Sequence, residues 1–287
     1  MQQNVQTRSA NSTAGWIDLA RPLVEWSEAW RLRDLLLQLV KRNVQTRYKG
    51  SVLGLLWVVT TPLLMLAVYT FIFGVILKTR WGVGTNDSMA AFALILFCGQ
   101  VVLNIFSETL TMAVGTVVNN PNYVKKVVFP LEILPLASFL TALFFGMVWF
   151  GILLLSIVAC LHIATWTMVA LPLVLLPLFF LTCGLAWMVA ALGVYIRDLA
   201  HVIGILLQML FFMTPVIYQL DMVPERYRVY LWLNPLTYVV ENVRKVLIYG
   251  QWPNWSAWAA MLLGSIIISK LGYLWFMKSK RGFGDVL

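Results

Sequence analysis

The segment from about residue 220 to 255 holds the side chains of this chain that could most readily support a reaction. Its charged residues alternate with short apolar pieces, and the candidates are Asp221, Glu225, Arg226, Arg228, Glu241 and Arg244. Enzymes that use a metal or a general base usually cluster their carboxylates, whereas the twelve acidic residues of this chain are scattered. We therefore favour a solvated surface here over a catalytic site, and we predict no catalytic residue and no metal site in the chain.

The chain has no sequence motif for binding a nucleotide. A phosphate-binding loop has the pattern GxxxxGK[ST], and no glycine here is followed directly by lysine. The long apolar stretches contain almost no ionisable side chains, although a proton-driven transporter needs such groups in its membrane pathway. We predict that the chain binds no cofactor itself and that energy for any work it does comes from another protein.

The composition indicates that these residues belong to a membrane protein. Hydrophobic residues make up 61% of the chain and charged residues 11%, with a mean hydropathy of +0.82, whereas about 25% of residues are charged in an average soluble domain. About 20 helical residues cross the ~30 Å hydrocarbon core. The uncharged runs of that length predict six spans, at about 52–77, 88–107, 133–158, 166–192, 199–219 and 256–277. We predict an all-α integral membrane protein.

The distribution of Lys and Arg predicts the orientation of the spans. An even number of spans places both termini on one side, and with that side inside, the inner segments carry 14 Lys and Arg residues and the outer segments 6. Loops rich in Lys and Arg face the cytoplasm, so we predict a multi-pass protein with both termini cytoplasmic. The net charge of +9 then reflects contact with anionic lipid headgroups, and we predict no nucleic-acid partner.

The part of the chain before the first span is predicted to lie outside the membrane core. The predicted units of the chain are a polar extension at 1–25, an interfacial amphipathic helix at 26–50 and a membrane domain at 51–287. The helix has an apolar face, formed by Trp26, Trp30, Leu37, Val40 and Val44. Interleaved basic residues suit a helix that lies in the membrane interface. A soluble helix that packs on a partner is the alternative.

Short helices are also predicted between the spans. Asn119, Asn120 and Pro121 form a typical helix start, and Pro130 ends the segment. The short basic helix predicted there, between spans two and three, contains Tyr123, Lys125 and Lys126.

Two further predictions concern charged residues near the membrane boundary. Between 220 and 255, the apolar pieces are too short to span, which predicts re-entrant or interfacial helices between the fifth and sixth spans. Glu108 follows Ser88 by twenty residues, which is the depth of the opposite interface, so we predict a boundary position for its carboxylate.

Aromatic residues are unusually frequent within the predicted spans. The chain has 16 Phe, 13 Trp and 10 Tyr, and Trp and Tyr normally gather in the headgroup belts. Some of these rings could line a conduit and offer flat apolar faces to sugars, namely Trp57, Tyr69, Phe71, Phe73, Phe97, Phe106, Phe211 and Phe212. The alternative for each ring is contact with lipid or packing between helices.

Long stretches of the sequence resemble one family. They are RYKGSVLGLLWVVTTPLLMLAVYTFIFGVILKTRWG at 47–82, NYVKKVVFPLEILPL at 122–136, YIRDLAHVIGILLQMLFFMTPVIY at 195–218, NPLTYVVENVR at 234–244 and the C-terminal RGFGDVL. They are similar to the permease subunits of polysaccharide-exporting ABC transporters, of ABC-2 type. Among these, the resemblance is to the O-antigen permeases of the Wzm family, which are related to teichoic-acid and capsule permeases.

The resemblance implies a function for the whole assembly. It implies a homodimer of six-span subunits that forms one channel in a bacterial inner membrane and docks two copies of an ABC ATPase, which bind ATP and Mg²⁺. Residues 120–128 match the coupling helix of the family and residues 222–250 its external gate. The implied cargo is O-antigen on undecaprenyl pyrophosphate, with Arg47 and Lys49 as pyrophosphate contacts. The alternatives are a capsule or teichoic-acid permease, an exporter of small hydrophobic drugs, and an outer-face transferase that acts on lipid-linked glycan.

Overall fold

The computed structural model describes residues 30–76, 89–125 and 129–287, and every regular element in these ranges is a helix. The predicted N-terminal extension, Trp26 and Lys126 lie outside the described residues. In chain order the α-helices are α1 Arg33–Arg47, α2 Trp57–Tyr69, α3 Met89–Gly115, α4 Pro121–Lys125, α5 Ile133–Ser156, α6 Leu171–Val174, α7 Leu176–Tyr195, α8 Leu199–Met213, α9 Glu225–Trp232, α10 Pro235–Arg244, α11 Trp255–Ser279 and α12 Phe283–Val286.

Five of the six predicted spans coincide with long apolar helices. Within the described residues, the segments long and apolar enough to cross a membrane are Gly54–Phe73, Ala90–Gly115, Ile133–Leu161, Trp166–Tyr195 and Trp255–Val286. The remaining predicted span, at 199–219, is helical only over the 15 residues of α8. Fifteen residues rise about 22 Å, less than the ~30 Å core. The fifth span therefore stays a prediction.

Helix α3 is the centre of the fold. In the most apolar 18-residue stretch of Ala90–Gly115, 78% of the residues are buried, compared with 11% in the corresponding stretch of Gly54–Phe73. Helices α5, α7, α8 and α10 pack around α3, and they enclose side chains such as Phe92, Ile95 and Val102. The membrane domain is therefore assembled around α3, and only a small part of the surface of α3 remains exposed.

Helices α7 and α11 approach each other closely because small residues line their contact. A Cβ added at Gly272 would lie 2.0 Å from the carbonyl oxygen of Gly184. Ser265 and Ser269 precede Gly272 at helical spacing on α11 and are buried. Small residues allow backbones to meet where lipid supplies no hydrophobic force between helices. This contact holds the last long helix against the bundle.

Polar contacts join several helix ends at one end of the bundle. Lys280 Nζ lies 2.7 Å from the carboxylate of Glu132, just before α5. The hydroxyl of Tyr195, at the end of α7, donates to the last carbonyl of α11 at 3.0 Å. Lys125, at the end of α4, donates to the backbone carbonyl of Leu287. We call this the α4 end of the bundle.

Helix α8 leads from the α4 end towards the opposite end. Its start follows the close contact between the ends of α7 and α3, where a Cβ at Gly193 would lie 2.2 Å from the carbonyl oxygen of Val114. Beyond its last residue, the carbonyl of Val216 accepts a hydrogen bond from Arg244 at 2.8 Å. Arg244 also donates to the carbonyl of Ile95, near the start of α3, at 3.2 Å. The chain therefore passes from the level of the end of α3 to the level of its first turns.

Candidate functional site

Five of the charged residues of 220–255 line a cavity of about 490 Å³ at the end opposite α4. Helices α9 and α10 frame this outer cavity, and its lining includes Asp221, Arg228, Trp232, Glu241, Arg244 and Lys245. Of the other predicted residues in this segment, Glu225 and Arg226 are exposed, and the Arg226 guanidinium lies 4.6 Å from the ring centroid of Tyr227. The structure therefore brings together four of the six residues that the sequence singled out.

Arg244 is buried, and the prediction of a solvated surface is wrong for this residue. Its side chain is 1% exposed, and it donates to the carbonyls of Ile95 and Val216 and, at 2.8 Å, to the carboxylate of Glu241. A buried guanidinium needs such acceptors because an unpaired charge in the interior is costly. Arg244 therefore joins α10 to α3 and to the segment after α8.

Arg228 holds the turn that precedes α9. Its Nε and Nη2 donate to the carbonyls of Val223 and Asp221 at 2.8 and 2.9 Å, and its Nη1 lies 3.9 Å from the Asp221 carboxylate. Burial raises the pKa of the Tyr249 hydroxyl, which lines the same outer cavity, so it is neutral at physiological pH. Of the two acidic residues of the lining, Glu241 is hydrogen-bonded to the buried Arg244, and Asp221 is 92% exposed beside Arg228. This arrangement favours a structural role for the outer cavity over general base catalysis.

Helix α4 presents an exposed face at its own end of the bundle. It begins at Pro121, as predicted, and the side chains of Pro121 and Lys125 are exposed. Arg42 of α1 donates to the Tyr123 hydroxyl at 3.0 Å. Asn120, part of the predicted helix start, donates through its amide nitrogen to the Thr116 carbonyl at 2.9 Å. The contact of Arg42 with Tyr123 joins α4 to α1, and the hydrogen bond of Asn120 orders the turn between α3 and α4.

Arg47, the last residue of α1, forms an ion pair with Glu108 of α3. Glu108 lies about two turns before the end of α3, with its side chain 21% exposed, so the helix continues past the residue that was predicted to mark the membrane boundary. The cation on α1 compensates the carboxylate inside the apolar helix. Asn43 bridges α1 to Thr141 of α5 at 3.4 Å, which holds Arg47 at this level. Lys49 is exposed and has no described contact with Glu108.

The side chains that the amphipathic helix buries differ from those predicted. Leu36 and Leu39 are buried, whereas Trp30 and Leu37 of the predicted apolar face are exposed. Helix α1 packs mainly on α5. Its contact with the membrane interface stays a prediction, and the exposed Trp30 and Leu37 are the side chains available for it.

The eight aromatic residues predicted to line a conduit fall into two groups. Phe97 and Phe106 are buried in the core, at 0% and 5% exposure, and Phe97 stacks on Trp149 with 5.7 Å between ring centroids. These two rings pack helices, so they do not line a conduit in this structure. The other six are exposed or half-buried, and they are Trp57, Tyr69, Phe71, Phe73, Phe211 and Phe212.

The sequence matches the ABC-2 type transporter family over residues 34–248, which is more than half of the chain. The chain belongs to this family. Within the described residues, the ABC-2 match extends from α1 through all the short helices of the outer cavity to the turn after α10. The buried Arg244, the ion pair of Arg47 and helix α4 all lie inside the matched range.

Several curated proteins resemble this ABC-2 chain over most of their length. The O-antigen export system permease protein RfbA of Klebsiella pneumoniae is 25% identical over 257 residues, covering 89% of this chain and 96% of the relative. RfbA of Myxococcus xanthus is 28% identical over 243 residues, covering 84% and 90%. The polysialic acid transport protein KpsM of Escherichia coli is 27% identical over 212 residues, covering 73% and 79%.

Sequence reasoning missed a set of polar residues on α3 of this ABC-2 chain. Gln100 and Asn104 are hydrogen-bonded to each other at 2.9 Å, and they lie four positions apart on the side of α3 that also carries Glu108. Their spacing of four residues in an otherwise apolar helix was the available signal. It marks one face of α3 as polar at membrane depth.

Proposed function

We propose that this chain is the channel-forming permease subunit of an ABC exporter that moves undecaprenyl-pyrophosphate-linked O-antigen polysaccharide across the inner membrane. The observation that carries the proposal is the colinear similarity to permeases named for O-antigen export, which extends over 89% of this chain. Long apolar helices and the absence of a phosphate-binding motif from the sequence support a transport subunit that depends on a separate ATPase.

The proposed topology has six crossings with both termini in the cytoplasm. Helix α8 and the residues that follow it make the fifth crossing, because this segment leads from the α4 end to the level of Ile95. The re-entrant α10 then contacts α3 inside the outer boundary of the membrane, because its contact residue on α3, Ile95, lies five residues within the span Ala90–Gly115. Protein contacts at that depth satisfy the backbone carbonyls that lipid would leave unpaired.

The proposed assembly contains two copies of the permease and two copies of the ATPase. Helix α4 with residues 126–128 is the coupling helix, and its candidate contacts with the ATPase are Asn120, Pro121, Tyr123, Lys125 and Lys126. Because α4 is anchored to Arg42 of α1 and follows α3 directly, a displacement of α4 is transmitted to both helices. ATP and Mg²⁺ bind to the ATPase, and this chain binds neither.

The proposed contacts with the cargo lie at both ends of the protein. Arg47 and Lys49 contact the lipid pyrophosphate, for which the guanidinium of Arg47 is suited by its several donors. The residues that line the outer cavity, together with the exposed Glu225 and Arg226, form the external gate. The exposed and half-buried aromatic residues contribute apolar faces to the conduit between these ends.

One other function is supported by a specific observation. The similarity to polysialic acid transport proteins favours a capsule-type polymer as the cargo, with the same mechanism. An outer-face transferase that acts on lipid-linked glycan would have to use the carboxylates of Asp221 and Glu241 in the outer cavity, and the pairing of Glu241 with Arg244 argues against this function.

The decisive experiment locates the lipid-linked glycan after depletion of the chain. In right-side-out and inside-out vesicles from depleted cells, a lectin added from outside reports which membrane face carries the glycan. We expect the glycan at the inner face after loss of an exporter. Accumulation at the outer face would contradict export and would identify a transferase. The matched variants Asp221→Asn and Glu241→Gln then separate the two functions, because a transferase loses turnover and a gate changes only the rate of export.

A further inference from the structure

One face of α3 is polar at a depth where the rest of the helix is apolar. The polar side chains fall within about 100° of the helix circumference and extend over about 16 Å along its axis. We call these residues the α3 stripe, and they are Gln100, Asn104, Ser107, Glu108 and Thr111. Thr111 is exposed and the other four are half-buried, whereas Val102 and Ala113 on the opposite face are buried. Polar residues within membrane helices face the protein interior or water, so an open polar stripe indicates a wet surface.

Three contiguous cavities follow the α3 stripe. The first, of about 290 Å³, lies beside Asn120 and reaches Thr111. The second, of about 580 Å³, continues from Thr111 to Glu108, and each of its lining residues except Met112 carries a polar side chain. The third, of about 50 Å³, lies beside Asn104. Together they form a groove from the α4 end to the middle of α3, which we call the α3 groove.

The ion pair between Arg47 and Glu108 separates the second cavity from the third. Both residues line both cavities, and the volume falls from about 580 Å³ to about 50 Å³ across them. Beyond the pair, the side-chain oxygen of Gln100 is buried without a hydrogen-bond partner. A buried amide oxygen left unpaired is costly, and water or a hydroxyl that reached it would remove that cost.

We propose that the α3 groove is the route by which the polar part of the cargo enters the protein from the α4 end, and that the Arg47–Glu108 ion pair closes this route. The inference rests on the proposed function for the identity of the cargo as a lipid-linked glycan. Amides and hydroxyls of the stripe match the hydroxyls of sugars, and Trp57 and Trp149 wall the third cavity with aromatic faces. A phosphate on the cargo competes with Glu108 for Arg47, because a guanidinium binds both groups with the same donors.

Cysteine accessibility in the full-length chain, held in native membranes with its ATPase, tests the groove. The background has the native cysteines replaced by serine, at Cys98, Cys160 and Cys183. The probe is a charged, membrane-impermeant methanethiosulfonate applied to inside-out vesicles. Ser107→Cys and Thr111→Cys report on the groove, and Ala113→Cys on the buried face of the same helix is the matched control. We expect the groove positions to react at least about tenfold faster, the factor for a difference of ~1.4 kcal/mol in accessibility.

The closing role of the ion pair is tested at Asn104→Cys, one turn beyond it. Glu108→Gln preserves the shape of the side chain and removes its charge. We expect it to raise the reaction rate at Asn104→Cys by about tenfold, which corresponds to ~1.4 kcal/mol, and to leave Ser107→Cys unchanged. Arg47→Gln breaks the same pair from the other side and gives a second reading if Glu108→Gln fails to fold. Arg47→Lys retains the charge and keeps the rate low.

Each outcome decides one part of the proposal. Equal rates at Thr111→Cys and Ala113→Cys overturn the wet groove, as does a disulfide between two copies at Thr111→Cys without reaction with the probe. An unchanged rate at Asn104→Cys in both charge-removing variants overturns the closure. Labelling is read without transport, so reactive groove positions combined with glycan at the outer face after depletion would overturn only the proposed cargo and function.

Discussion

Replacing Arg244 with alanine removes the side chain that holds α10 against α3. The guanidinium is 1% exposed and has three described acceptors, the carbonyls of Ile95 and Val216 and the carboxylate of Glu241. Removal of one member of a buried ion pair costs about 3–5 kcal/mol, and here it leaves the Glu241 carboxylate, 19% exposed, and two backbone carbonyls without their donor, so this range is an upper bound. We expect Arg244→Ala to lower the melting temperature of the detergent-solubilised protein by on the order of 10 °C.

Arg226→Ala is the matched control for this prediction. Arg226 lies in the same segment, but it is exposed and contacts the ring of Tyr227, which contributes about 0.5–1 kcal/mol at an exposed site. The double variant Arg244→Ala, Glu241→Ala should lose less than the sum of its single variants, since the unpaired carboxylate is then absent. A melting temperature for Arg244→Ala equal to that of Arg226→Ala would refute the assigned role of Arg244.

Two other substitutions test the packing of the long helices and the coupling role of α4. Gly272→Ala should destabilise the protein by about 1–3 kcal/mol, because its Cβ would lie 2.0 Å from the Gly184 carbonyl oxygen. Gly264→Ala on the same helix is the control, since its Cβ would have no atom within 4 Å. Equal melting temperatures for the two variants would contradict the close contact of α7 and α11. Lys125→Glu should lower the glycan exported per ATP hydrolysed in reconstituted complexes, because it places a negative charge on the exposed face of α4 and removes the donor to the Leu287 carbonyl; an unchanged ratio would exclude Lys125 from coupling.

The extent of the spans was predictable because hydrophobic length is a local property. Ile133–Leu161 and Trp166–Tyr195 begin where the sequence placed them. The end of the second span was not predictable, because the carboxylate of Glu108 marks the end of the uncharged stretch. Glu108 lies inside the helix because Arg47, from a different segment, pairs with it. A count of charges along the chain contains no information about such a partner.

The direction of individual side chains was the least predictable property. Phe97 and Phe71 are the same residue type in neighbouring predicted spans, yet Phe97 is buried and Phe71 is 56% exposed. Nearly every position of these helices is apolar, so the sequence lacks the polar face that would orient them. Arg244 is buried for a similar reason, since the carbonyls that accept from it come from distant segments. Polar spacing on α3 was visible in the sequence and would have been the better guide to an open face.

In the proposed function, the chain is a passive conduit, and the claim is that it transfers cargo only when a separate ATPase drives it. The direct measurement places the purified chain in liposomes that carry lipid-linked glycan on one face, with and without the ATPase, and follows the arrival of the glycan at the other face. We predict ATP-dependent transfer when both proteins are present and no transfer with the chain alone. Sustained transfer by the chain in liposomes that contain no ATPase would contradict the claim.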